Sequence, residues 1–566
     1  MGTRRRTTPL LALGMVVTLT ASGFAAFSAV AGAATEGESA AVAKARAATG
    51  FGTDAALDNP RCDPETGRFR WTFYGAPPCV KAWKGGDNGG RVAQGVTADS
   101  VKTVVLWDEL PLGESTTGIF VNQATQGADP DGARNAIIDN NAVFEHVYET
   151  WGREVDLEFV QSTGEDEAAQ RADAVTVAAM KPFAVIDLAA STGATGVGGG
   201  QVFQQALEHA GVPYVSPSPR NTPLFQSKGF AQVTAGVIAA QGLAKGKAEH
   251  AGDAINGQPR KLGILRSSNF DMEFFLDEME KRKQPKPVDA EFTVPPTQSS
   301  VRVDANAAPL DTQIPTLIAK LKAEGVTTLI MMANHSVSGA ASRAMKAQEW
   351  FPEIITTSAP YQDLDLYARS YDQEVWSHAF GLVWFPPYLK GAGDPTTAAF
   401  QWYWGTDTGT RWSIAFFQML GLYSTLQFIG PDITAKNVAN RNEIFAANGG
   451  SGGAYADSIF TIEINPAAPP AITQRATALG WWDPEAEGPG NYNLGGSAKG
   501  KYVYLNGGKR YLPGHFPKGK QAYFDDAEAT VQYDAPPASE PVVPTYPCVD
   551  CPSSGSTAVT PAAAAA

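Results

Sequence analysis

The residues best suited by type and spacing to do chemistry form two polar loops. Ser191-Thr192-Gly193 follows the apolar run Ala184-Val185-Ile186-Asp187-Leu188, and Ser216-Pro217-Ser218-Pro219 follows Val212-Pro213-Tyr214-Val215. Between them Gly198-Gly199-Gly200 opens a helical pattern over residues 201–210, with Val202, Leu207 and Ala210 on one side, and Gly211 closes it. The order is strand, loop, helix, strand, loop. Hydroxyls and free amides ahead of a helix N-terminus suit a small anion such as a carboxylate. Open parallel sheets place ligand contacts just beyond their strand ends. Ordinary connecting loops of the same composition are the competing reading.

Other constellations are weaker. Gly449-Gly450-Ser451-Gly452-Gly453 matches G-x-S-x-G, but a helical pattern precedes the serine and a glycine-rich turn follows it, the reverse of a nucleophile elbow. The glycines of residues 193–200 do not fit the dinucleotide fingerprint, and no Walker loop, kinase set or H-E-x-x-H motif is present. The six histidines, His146, His209, His250, His335, His378 and His515, have no metal-ligand spacing to one another. They read as surface or satisfied residues, and neither a metal nor a cofactor is expected. Cys548-Val549-Asp550-Cys551 has the spacing of a redox pair or half a zinc site, but it lies in a proline- and alanine-rich tail with no helix after it. That favours a disulfide or free thiols. Cys62 and Cys79 would close a local loop around Phe69-Arg70-Trp71-Thr72-Phe73-Tyr74, and pairing between the two ends of the chain stays open. Asn334-His335-Ser336 is a glycosylation sequon read as coincidence.

The elements that must position these loops alternate. Strand patterns at residues 101–107, 155–160, 184–188 and 212–215 are interleaved with helical patterns at 133–151, 166–180 and 201–210. A second series begins after Phe230 with a helix at 236–247. Its strands lie at 261–266, 292–294, 327–332 and 354–357, and its helices at 270–283, 314–324 and 340–348, with Ser267-Ser268-Asn269 as a helix cap. Two such series predict two α/β lobes with parallel sheets. Beyond His378 come a strand at 380–385 and helices at 400–404, 413–428 and 434–448. The aromatic cluster of Trp376, Trp384, Phe385, Trp402, Trp404 and Trp412 reads as core or lobe interface. Asn506-Gly507-Gly508 between residues 502–505 and 509–512 signals a hairpin.

Composition bounds the rest. A formal charge of −14 over 566 residues argues against a nucleic-acid partner. Residues 1–33 read as a secretory signal: Arg4-Arg5-Arg6, an apolar stretch over 10–30, and Ala31-Gly32-Ala33 as the cleavage site. An uncleaved anchor is the alternative, since the stretch is long enough to span. Secretory or twin-arginine export stays open, and no later segment is apolar enough to cross a membrane. Residues 34–95 read as an extension with little regular structure, and residues 535–566 as a disordered tail.

An exported, acidic, two-lobed α/β chain opening with Gly95-Val96-Thr97-Ala98-Asp99-Ser100-Val101-Lys102 resembles a type I periplasmic binding protein. It is similar above all to the leucine/isoleucine/valine-binding family of ABC-transporter substrate receptors. The phrase Gly164-Glu165-Asp166-Glu167-Ala168-Ala169-Gln170-Arg171-Ala172-Asp173 also resembles that family, as does the order Lys181-Pro182-Phe183-Ala184-Val185-Ile186, serine–threonine loop, Gly211-Val212-Pro213-Tyr214-Val215-Ser216. The likeness covers about residues 96–530.

The resemblance implies two Rossmann-like lobes with parallel sheets joined by a three-strand hinge and closing on a ligand. It implies lobe 1 at 96–228 plus 362–490 and lobe 2 at 229–361 plus 491–534, with crossings near residues 225–232, 360–366 and 488–501. It implies ligand contacts by loop: Ser191, Thr192 and Gly193 for a carboxylate, Ser216 and Ser218 for hydroxyl and carbonyl contacts, and Phe270 and Tyr361 for packing. Asn334 and His335 stand in the loop after Met332. The family often has an acidic residue where Ser358-Ala359-Pro360-Tyr361 stands, with Asp363 slightly beyond. Asp363 or Glu109 is left for a cationic group, and Trp107, Asp108 and Glu109, at the end of the first strand, are placed to line the cleft. No bond chemistry is implied. An ABC permease is the implied partner, and the implied location is secreted or at the cell envelope, although the cleavage site lacks a lipid-anchoring cysteine. A ligand sensor on the same fold, a secreted α/β hydrolase using Ser451 and a structural envelope protein are the alternatives.

Overall fold

The computed structural model describes residues 39–73, 76–107, 130–164, 166–188, 201–215, 222–268, 270–293, 308–357, 362–384, 388–389, 395–405, 413–439, 463–464, 473–474, 477–489, 497–511, 514–533 and 544–554.

The extension is structured. Ser39 caps helix α1 (Ala40–Thr49), its hydroxyl accepting from the Val42 amide, and Gly50 ends it in the left-handed region. Strands β1 (Cys62–Asp63) and β2 (Arg68–Phe69) form a small antiparallel pair, and Cys62 is bonded to Cys79. Trp71 and Phe73 are fully buried in the core of the first α/β unit beside Phe144, Tyr148 and Phe416. The expectation of a loose extension is corrected: this segment buries too much aromatic surface to stay outside the core.

The first unit is a four-stranded, all-parallel sheet. Strands β3 (Ser100–Trp107), β4 (Glu154–Gln161), β5 (Ala184–Asp187) and β6 (Tyr214–Val215) stand in the order β4-β3-β5-β6. The crossovers are helices α2 (Pro130–Val147), α3 (Glu167–Ala179) and α4 (Gln201–His209). Helix α5 (Thr222–Gln241) leads out, and Ala231, Val237 and Ile238 from its later turns pack in the second unit.

The second unit continues the alternation: β7 (Leu262–Ser267), α6 (Met272–Lys281), β8 (Val288–Phe292), α7 (Ala308–Ala323), β9 (Thr328–Met332), α8 (His335–Ala347), β10 (Glu353–Thr357) and β11 (Ala379–Val383). These five strands are parallel, in the order β8-β7-β9-β10-β11. Two antiparallel strands, β12 (Thr477–Pro489) and β13 (Ser497–Tyr504), extend the sheet beyond β11. The central strands are buried on both faces, as continuous apolar runs such as Leu329-Ile330-Met331-Met332 require.

Three expectations are corrected here. Residues 362–383 belong to the second unit, because β11 pairs in parallel with β10 and the turns Asp365–Ala368 and Gln373–Trp376 bury Tyr367 and Trp376 in its core. The chain passes back only after Val383, to helices α9 (Pro395–Trp404) and α10 (Ser413–Ile429) on the first core, and returns by β12. The hairpin at 506–508 is a helical turn instead: β13 and the short strand β14 (Arg510–Tyr511) both pair with β12 and not with each other. The tail, expected to be disordered, is docked over residues 544–554: Tyr546 bonds to Thr72 and Asp63, and the Trp402 indole donates to the Tyr546 carbonyl at 2.7 Å. Among the described residues no helix is long and apolar enough to cross a membrane.

Candidate ligand site at the strand ends

Both sheets have a point where the strand order reverses, between β3 and β5 in the first and between β7 and β9 in the second. Crevices outside the carboxyl ends of strands at such points are where open α/β sheets bind ligands. In the second unit the residues just past those ends are Ser268 and Phe270 after β7, and Ala333, Asn334 and His335 after β9. Gln362 and Asp363 follow β10, and Trp384 follows β11.

Phe270 is buried against Phe275, ring centroids 5.8 Å apart, so it is part of the core at this edge. The cap expected at Ser267-Ser268-Asn269 is corrected to Asp271, whose Oδ1 accepts from the Phe274 amide at 3.0 Å. Asn334 caps α8, its Oδ1 accepting from Val337 N at 3.0 Å. His335 opens that helix and stacks on Tyr367 with centroids 4.0 Å apart and planes at 19°. Burial pushes its imidazole down to about 3, so the ring is neutral near pH 7.

Asp363 is buried and accepts from the Trp384 amide, latching the loop after β10 to the end of β11. The buried phenol of Tyr502 is pushed well above its ordinary pKa by burial first and by Asp363 second. Asp363 therefore performs a structural task inside the second unit.

The residue the sequence reading missed is Gln362. Its Nε2 donates to Met331 O at 2.9 Å, Ala333 O at 3.1 Å and Ser338 Oγ at 3.1 Å. Its Oε1 accepts from Thr357 N at 3.0 Å, and its carbonyl accepts from Tyr502 Oη at 3.1 Å. One amide thus fixes the ends of β9 and β10 that carry Asn334 and His335. Nothing in the local sequence marks a glutamine for that role.

In the first unit Trp107 ends β3, and its carbonyl accepts from Ser162 N at 2.7 Å. Asp173 clamps the loop after β4, accepting from Ser162 Oγ at 2.9 Å and Thr163 Oγ1 at 2.7 Å. Asp187, the last residue of β5, is fully buried and accepts from Gln204 Nε2 at 2.8 Å. A carboxylate ending an apolar strand was a signal available in the sequence. The Val202 and Phe203 amides at the start of α4 donate to Gln170 Oε1 at 3.2 and 3.4 Å. Those two amides are satisfied within the fold. Ser191, Thr192, Gly193, Ser216, Ser218, Tyr361, Asp108, Glu109 and Ser451 lie outside the described residues.

No family model matches the chain, and no curated protein sequence is similar to it. Solved structures do resemble it. The chain is similar to ABC-transporter substrate-binding proteins. A branched-chain amino acid ABC transporter periplasmic ligand-binding protein from Burkholderia xenovorans is 10% identical, with TM-score 0.41, covering 71% of this chain and 96% of its own. A fatty acid ABC transporter substrate-binding protein from Thermomonospora curvata is 14% identical, with TM-score 0.39, covering 75% and 98%. A solute-binding protein from R. palustris in complex with benzoate is 10% identical, with TM-score 0.39, covering 73% and 97%. The assignment to two α/β units with parallel sheets rests on the strand orders themselves.

Proposed function

We propose that this chain is an exported solute-binding protein that captures a small, carboxylate-bearing organic molecule, an amino acid, amide or relative, between its two α/β units and presents it to an ABC-type permease. The observation that carries this reading is that the parallel strands of two sheets each reverse their order and carry a set of loops past their carboxyl ends. Ser191, Thr192 and Gly193 hold the carboxylate, and Ser216 and Ser218 add hydroxyls. Tyr361 and Trp107 supply packing at the mouth, and the edge built by Phe270 and Asn334 forms the second wall. Asp363 is committed to the Trp384 amide, so the partner for a ligand cation is Glu109. The protein binds and releases, and no covalent step is required.

A thermal-shift screen over amino acids, short amides, aromatic acids, polyamines and sugars tests this. At a thousandfold excess over its dissociation constant, a ligand bound only by the folded protein adds roughly 4 kcal/mol, a shift of a few degrees in a chain of this size. The expected result is a hit among carboxylates that is lost in the Ser191→Ala/Thr192→Ala variant and retained in Ser451→Ala. A hit confined to sugars or polyamines, or one indifferent to the Ser191 and Thr192 changes, overturns the carboxylate reading.

A further inference from the structure

The C-terminal segment sets two cysteines against a histidine about 400 positions earlier in sequence. His146, in the last turn of α2, places Nε2 3.4 Å from Cys551 Sγ and 3.8 Å from Cys548 Sγ. The two cysteines are joined as a disulfide. A cross-link between residues three apart constrains little of the unfolded chain, and a disulfide does not call for an imidazole against both of its sulfurs. A metal does. Tetrahedral zinc takes sulfur at about 2.3 Å and imidazole nitrogen at about 2.0 Å, which sets ligand sulfur and nitrogen about 3.6 Å apart. The two separations here bracket that value.

The surroundings suit such a centre. His146 and Cys548 are half-buried and Cys551 is buried. The imidazole is flanked by the rings of Trp402 and Tyr403, 5.9 and 5.2 Å away. Arg61 binds the carbonyls of His146, Val147 and Tyr148 at 3.1–3.3 Å, fixing the end of α2. The segment is seated independently by Tyr546 on Asp63 and by Ser553 Oγ on the Trp402 carbonyl at 2.9 Å.

We propose that, once reduced, Cys548 and Cys551 join His146 to bind one thiophilic d10 cation, Zn2+, which clasps the C-terminal segment to the first α/β unit. A small dithiol supplies two electrons and two protons: the Cys548–Cys551 bond breaks and the dithiol closes to its own disulfide. Two sulfur–zinc bonds then form as the two thiols release their protons to water, and the fourth position is left to water. The proposal is independent of the ligand site.

The test uses the purified full chain, reduced with a dithiol, desalted without oxygen and titrated with Zn2+ against a chromogenic chelator. Co2+ serves as a spectroscopic substitute. The expected result is one equivalent bound, about two protons released per zinc, and thiolate-to-cobalt charge-transfer absorption with tetrahedral d–d bands. The Cys548→Ser/Cys551→Ser variant, which keeps Cys62 and Cys79, should lose that equivalent. His146→Ala and His146→Gln should weaken it by more than about tenfold, the lower bound even for groups that only support a metal ligand. Circular dichroism of each variant in its oxidised form checks folding, and Cys551→Ser alone replaces any variant that fails. Zinc uptake by wild type equal to that of the double cysteine variant, or uptake unchanged by both His146 substitutions, overturns the site.

Discussion

Gln362 shows how much of an edge one side chain can organise. Truncating it leaves the Thr357 amide buried without its acceptor, whereas the Met331 and Ala333 carbonyls keep Thr357 Oγ1 at 2.9 Å and Ser338 Oγ at 3.3 Å. At about 1–3 kcal/mol for a buried unsatisfied group, Gln362→Ala should lower unfolding stability by about 1–3 kcal/mol in urea titration. A loss under about 1 kcal/mol would mean that water replaces the amide.

A buried and a half-buried titratable group pull stability in opposite directions with pH. His335 has a folded pKa of about 3 against an ordinary 6.5, so the unfolded chain binds the extra proton between those values. Its contribution is complete above about pH 6.5 and is lost as pH falls towards 3. Glu145 is raised from 4.5 to about 7, chiefly by burial. There the folded chain holds the extra proton, and stability falls as pH rises from about 4.5 to 7. Glu145→Gln keeps a side-chain oxygen for the Val155 amide, which Glu145 Oε1 now accepts at 2.9 Å. It should stabilise the protein at pH 8 and have little effect at pH 4, and His335→Phe should flatten the decline between pH 6.5 and 4. Denaturation midpoints across pH check both, and an unchanged profile in either variant refutes its assignment.

At the scale of elements, the amino end of the second sheet is held by one ion pair. Glu353 opens β10 fully buried and meets Arg260 in a two-pronged pair with both bonds at 2.9 Å. It also accepts from Thr328 Oγ1 at 2.7 Å and from the Glu249 amide at 2.9 Å. This end lies opposite the candidate site, so the pair serves stability. Removing the cation alone leaves a buried carboxylate, and Arg260→Ala should cost about 3–5 kcal/mol while leaving ligand-induced thermal shifts the same size. A changed shift would show that the two ends of the sheet are coupled.

For the whole molecule, the extension and the tail are parts of the first unit. Arg153 donates to Thr97 O at 2.7 Å, Asn88 O at 2.7 Å and Pro431 O at 3.1 Å, tying extension, sheet and the end of α10 together. The tail then lies on Thr72, Asp63 and Trp402. Ending the chain at residue 543 should lower the melting temperature by a few degrees and raise quencher access to Trp402, read in a variant series against Trp402→Phe. No change in either would mean that residues 544–554 contribute nothing to the fold.

The sequence alone determined the α/β class and the run of elements from β3 to β10, because those signals are local: apolar runs, helical periodicity and glycine stops act within a few residues of where they stand. It also placed the polar loops at the strand ends that an open parallel sheet uses. What only the tertiary structure decided depends on partners far apart in the chain. β11 joined the second sheet because β10 offered it a parallel edge. Asp363 became a latch because the Trp384 amide came within reach. Trp71 and Phe73 became core because α2 and α10 brought Phe144 and Phe416 to them. His146 reads as an isolated histidine until a segment 400 residues later folds back onto α2 and sets Cys548 and Cys551 against it. Pairings over such distances are selected by packing and hydrogen-bond satisfaction in the whole fold, which no local pattern encodes.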